Sequence, residues 1–122
     1  MNCNDLMLGD LVQGHLPNTP SKVVGIPNEY RLAVITPGGA YMELSIDDFL
    51  PIPITTEILE KNGFINGEFY AESHIEDWQI MSDGSHLAAR SDRGWCIDIP
   101  CRYVHQLQHA LRLCGIEKEI VL

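Results

Sequence analysis

A chain of 122 residues, 45% hydrophobic and 20% charged, has the composition of an ordinary globular domain rather than a disordered segment. Its 17 acidic residues against 8 Lys and Arg leave a net charge of −9, a field that repels phosphate backbones, so nucleic acid is not an expected partner. No stretch approaches the ~20 apolar residues of a membrane span, so no membrane partner is expected either.

The opening MNCNDLMLGD lacks the basic and apolar regions of a signal peptide. With four irregularly spaced cysteines expected to stay reduced, the expected location is cytoplasmic. Met7 to His15 reads as a Gly-Asp turn followed by a short strand, broken by Pro17-Asn18-Thr19-Pro20. Ser21 to Ile26, Tyr30 to Thr36 and Ala40 to Ile46 read as further strands, the last two joined by the Pro37-Gly38-Gly39 turn. Asp47 to Leu50 reads as one helical turn. Short strands with this Gly and Pro punctuation predict a curled sheet or SH3-like, barrel-like part over residues 1–50.

Pro51-Ile52-Pro53 is a stiff connector to a second part, 51–122, although both parts could form one compact unit. A short helix is expected from Thr55 to about Asn62. Thr55 would be its N-cap, Ile54 and Leu59 its hydrophobic staple, and Gly63 its stop. Glu68 to Ile75, Asp77 to Met81, His86 to Arg90 and Trp95 to Ile99 then read as an antiparallel meander with turns at 82–84 and 91–94. Phe69, Trp78, Ile80, Trp95, Ile97 and Ile99 alternate and should line one face, with the last helix upon it. The fold class expected is α+β: a β-rich first part, then an antiparallel sheet with two helices.

That last helix is predicted from Cys101 to Cys114, with Asp98 as its cap, Pro100 in its first turn and Gly115 as its stop. At about 100° per residue, Tyr103, Val104, Leu107, Ala110, Leu111 and Cys114 form an apolar stripe roughly 120° wide. His105, Gln108, His109 and Arg112 should face water. Ile116 to Leu122 reads as a closing strand able to pair within the chain or with a second copy, which keeps a homodimer open.

Chemistry is sought where reactive side chains are densest. Cys96, Cys101, His105 and His109 are the right donors for zinc, but Cys101 and His109 lie eight residues apart, about 12 Å along a helix, too far for one ion. Only Cys101 with His105, or His105 with His109, could share a metal, so these are weak candidates and no metal or other cofactor is expected. Cys101 near a helix N-terminus, with His105 as base and Asp98 as orienter, would make a thiol nucleophile with no evident oxyanion donor. Asp47-Asp48 and Glu76-Asp77 are adjacent pairs whose side chains diverge in extended backbone. His15, His74 and His86 are isolated, and core packing accounts for both tryptophans better than a binding surface does.

Three functional readings follow. The leading one is a non-enzymatic interaction module with a protein partner of unknown identity. A small enzyme built on the Cys/His/Asp cluster is the second. The third is an acidic mimic of nucleic acid that blocks a DNA-binding protein, which the even division of charge, −4 over residues 1–54 and −5 over 55–122, argues against. LPIPITTEILEKNGF (Leu50 to Phe64), the Leu8-Gly9-Asp10-Leu11-Val12 start and above all the Tyr103 to Gln108 run YVHQLQ resemble an uncharacterised family of small bacterial proteins. That family occurs in gut anaerobes, often near phage or mobile elements. The resemblance implies a compact bacterial cytosolic protein with an element-linked partner, and transfers no catalytic or binding residue.

Overall fold

A computed structural model of the chain describes residues 5–14, 20–72 and 76–122. They form an α+β structure with two antiparallel sheets and two helices, divided into compact units at 1–52 and 53–122.

The first unit holds β1 (Leu11–Gly14), β2 (Pro20–Asn28), β3 (Arg31–Ile35), β4 (Tyr41–Ser45) and β5 (Phe49–Pro51), ordered β4-β3-β2-β1-β5 with every pairing antiparallel. Its inner face is written in the alternation of the strands. Val12, Val23, Leu32, Val34, Ile46 and Phe49 join Leu6 in one buried cluster with Leu44 against it. β2 is the long strand because the β2–β3 register shifts twice, between Val23 and Gly25 and again between Gly25 and Asn28. Each shift is a bulge, and bulges bend and twist the strand that carries them, which curls the sheet. Asp10 is fully buried where the chain enters β1. Its carboxylate accepts from the Met7 N–H at 2.8 Å and its carbonyl from the Val23 N–H at 2.8 Å.

One expectation for this unit needs correcting. The segment after Ser45 is a 3-10 turn at Ile46–Asp48 followed by a fifth strand, β5, so Pro51 belongs to the sheet as well as to the connector. Among the described residues the strands form a sheet with β4 and β5 at its two ends, without a closed barrel.

The second unit is a meander, β6 (Glu68–Ala71), β7 (Trp78–Ser82), β8 (His86–Ser91) and β9 (Cys96–Pro100), with α1 (Thr56–Lys61) before it and α2 (Val104–Leu113) after it. The register places Phe69, Ile80, Ala89 and Ile97 in one cross-strand row, and Leu87 beside Ile99 in another. Ile80, Leu87 and Ala89 are fully buried. Thr55 caps α1 by accepting from the Ile58 N–H at 3.2 Å. Both helices stop in the same way. Gly63 and Gly115 take φ of +89° and +74°, while the Phe64 and Ile116 N–H groups reach back to the Leu59 and Leu111 carbonyls at 3.0 and 2.8 Å.

α2 begins later than expected. Asp98 and Pro100 lie in β9, Tyr103 is the N-cap residue, and the Gln106 Oε1 atom accepts from the Arg102 and Tyr103 N–H groups at 2.8 and 3.2 Å. The strand register of Ile97 and Ile99 with β8 outcompetes the helix-start signals of Asp98 and Pro100. Trp95 does not join the inner face: it sits in the turn before β9, 67% exposed. Nor do residues 116–122 form a strand. The tail is tied instead by Asn62, which is nearly fully buried. Its side-chain amide donates to the Val121 carbonyl at 2.7 Å and accepts from the Val121 N–H at 2.8 Å, taking the place of a strand partner. The expected reach of β6 to Ile75 ends at Ala71, and residues 73–75 fall outside the described residues.

Candidate functional site

The cluster expected around the last helix is dispersed by the fold. Cys101 precedes α2 and is fully buried, its backbone N–H donating to the Ser85 carbonyl at 2.9 Å. Burial pushes its thiol up to about 11, because the thiolate would lose its water. This reverses the expectation of a thiol activated at a helix N-terminus, since Cys101 lies before the N-cap rather than in the first turn. Cys114 is pushed up too, first by burial and then by the charge of Glu76. Cys96 is exposed on β9, and Asp98 is exposed on the same strand.

His105 is buried rather than beside water, and so is Gln108. On the helical wheel these two widen the buried arc of α2 from roughly 120° to more than half the circumference. The imidazole of His105 stacks on the Tyr103 ring, with centroids 5.9 Å apart and planes 7° from parallel. His109, half-buried, meets His105 edge to face at 5.7 Å. Tyr103, His105 and His109 therefore form a run of ring contacts at the start of the helix, one stacked and one edge to face. Among the described residues no three His, Cys, Asp or Glu side chains come together as a metal would require. His15 and His74 lie outside the described residues, and His86 is exposed.

The second unit also carries a hollow of about 500 Å³ where the start of α1 faces the β7–β8 turn. Ile54, Leu59 and Phe64 line it, with Thr55, Glu60 and Asp83 among its polar residues. Asp83 is held below the usual carboxylate range by the N–H groups it accepts from, His86 first and then Ser85, each at 2.8 Å. That carboxylate is spent on closing its own turn. A neighbouring hollow of about 280 Å³ shares Asn66, Gly67, Ser82 and Asp83. Asn66 and Gly67, which line both, adopt φ of +53° and +78°, a tight turn that brings Glu68 back to Ile65 with bonds of 2.8 and 3.0 Å between their backbones. An Asn-Gly pair is the strongest short hairpin signal a sequence offers. It stands at 66–67 and could have located this turn.

Surface aromatics are the remaining feature. Tyr30, Tyr41, Tyr70 and Trp95 are each between 62% and 68% exposed, four of the nine aromatic residues of the chain. Trp78 is buried, as expected of a core tryptophan, but Trp95 is not. The Tyr70 hydroxyl donates to Glu68 at 3.2 Å and is pushed up, chiefly by that carboxylate. No helix among the described residues is long and apolar enough to cross a membrane. Comparisons with protein-family models, with curated proteins and with solved structures find no match.

Proposed function

We propose that this chain is a non-enzymatic protein-interaction module of a bacterial cytoplasmic or mobile-element system, with a first unit of SH3-like build. The observation that carries the reading is the contrast between sealed chemistry and displayed aromatics. The thiol expected to be reactive is buried and held protonated to about 11, while three tyrosines and a tryptophan stand in water. Tyrosine and tryptophan are enriched at protein interfaces, where their rings bury area and their polar atoms still find partners. The SH3-like part of the reading is supported by a four-strand meander, a 3-10 turn and a returning strand beside β1. A fold of this kind does not dictate a function, so the interaction reading rests on the surface.

The test is affinity capture with the full chain from its host, run beside a variant with Tyr30, Tyr41, Tyr70 and Trp95 changed to Ser. A stoichiometric protein partner held by the wild type and released by the variant is the expected result. Turnover by the purified chain that is abolished by Cys101→Ala would overturn the reading.

A further inference from the structure

We propose that β4 receives an extended, lysine- or arginine-bearing segment of another protein as a sixth strand of the first sheet; this deepens the interaction reading above and rests on it. The direction of the backbone groups follows from two hydrogen bonds. The Ile46 N–H donates to the Tyr30 carbonyl at 2.7 Å and the Thr36 N–H to the Ala40 carbonyl at 2.9 Å. With the register Leu32↔Leu44 and Val34↔Met42, the residues of β4 that bond to β3 are therefore 42 and 44. Tyr41, Glu43 and Ser45 turn their N–H and carbonyl groups away from the sheet. β4 is the outer strand there, and Tyr41, Met42 and Glu43 are all exposed.

A row of outward backbone groups on an exposed, unbroken strand is a template for another strand. Two of these groups are engaged among the described residues: the Ser45 carbonyl begins the 3-10 turn as its N-cap, and the Glu43 carbonyl is met by Arg31. The Arg31 Nη2 atom donates to the Glu43 carbonyl at 3.2 Å while its Nε holds the Glu43 carboxylate at 3.0 Å. Both partners are well exposed, so this clasp is weak and an incoming N–H can replace it.

Charge selects the occupant. Glu43 stands on the outer face between Tyr41 and Ser45, and Asp47 and Asp48 follow at the end of the strand. A second copy of this chain is disfavoured. The antiparallel register that uses all three outward residues sets Glu43 against Glu43, and like charges directly opposed destabilise a strand pair. A segment with Lys or Arg opposite Glu43, and apolar residues on the face of Met42 and Leu44, answers both the charge and the alternation.

The probe is a strand-length peptide alternating Lys and Val, added to the full chain with amide exchange followed by NMR; a Glu and Val peptide is the control. New protection at the Tyr41, Glu43 and Ser45 amides with the Lys peptide alone is expected. Glu43→Pro removes an outward N–H and no ladder bond, so it should keep Val23 and Val34 protected and weaken binding at least about tenfold. Glu43→Lys should reverse the preference between the two peptides, and serves if the proline variant does not fold. Absent protection at these amides, equal binding of both peptides, or protection that grows with protein concentration alone would each overturn the proposal. A natural partner captured equally by wild type and Glu43→Pro would sink the strand docking and leave the wider interaction reading standing.

Discussion

At the outer strands of the two sheets, equivalent positions carry side chains with opposite consequences. In β9, bonds from Ser91 to Trp95 and from Cys101 to Ser85 fix the alternation, so Cys96, Asp98 and Pro100 are the residues turned away from the sheet. Pro100 has no N–H to offer and Asp98 places a charge on the edge, the two devices that discourage further pairing. At β6, Ile65 occupies both backbone groups of Glu68. β5 is only three residues long and ends in Pro51. β4 has five residues, no proline, one weak clasp at Glu43, and only its last carbonyl, that of Ser45, taken by the following turn. β9 and β5 carry prolines and β6 is covered by its turn at Glu68 but not at Tyr70, whereas β4 is an outer strand without proline beside acids, which is why the proposed docking is placed there.

The sharpest way to break this comparison is to move a proline by one residue. Met42→Pro deletes a ladder bond to β3 and should cost about 3 kcal/mol or more, read as a fall in the urea midpoint. Glu43→Pro, one position on, should cost well under half of that. Equal losses would mean that the assigned alternation of β4 is wrong. The next effect concerns the guard on β6. A methyl group at Gly67 would lie 2.7 Å from the Ser82 carbonyl oxygen at a φ of +78°, so Gly67→Ala should cost about 1–3 kcal/mol. It should also speed amide exchange at Ile65 and Glu68.

Cysteines on either side of the β9 exit sharpen the contrast between surface and interior. At neutral pH an alkylating reagent should modify Cys96 readily and Cys101 only on unfolding, which Cys96→Ser and Cys101→Ser variants separate. The folded thiol of Cys101 titrates near 11 rather than 9, so the native state binds more protons than the unfolded chain across that interval. Stability is therefore complete below about pH 9 and falls as the pH rises toward 11. Cys101→Ala should flatten that fall, measured by denaturation in alkaline buffers. The smallest change in stability is expected on unguarding β9. Asp98→Val with Pro100→Val should shift stability by only about 0.5 kcal/mol, yet raise self-association seen by light scattering.

Local chemistry was legible without coordinates wherever a few neighbouring residues decide the outcome. Thr55, Gly63 and Gly115 set the three helix boundaries they were assigned, because a cap or a left-handed stop is settled within one turn of chain. The meander of 68–100 followed from alternation and turn residues for the same reason. What misled was a local signal overruled at a distance. Asp98 and Pro100 look like a helix start, but pairing with β8 keeps them extended; Ile116 to Leu122 looks like a strand, but Asn62, nearly sixty residues earlier, takes its backbone bonds.

The candidate site divides along the same line. Residue types and their order alone said which side chains could do chemistry, which alternate, and that the chain is acidic throughout. It took the folded arrangement to bury Cys101 and His105, to leave Trp95 outside, and to put β4 at the end of its sheet with Tyr41, Glu43 and Ser45 facing outward. Burial and edge position depend on which segments lie beside one another, and that is fixed by pairing between residues far apart in the chain.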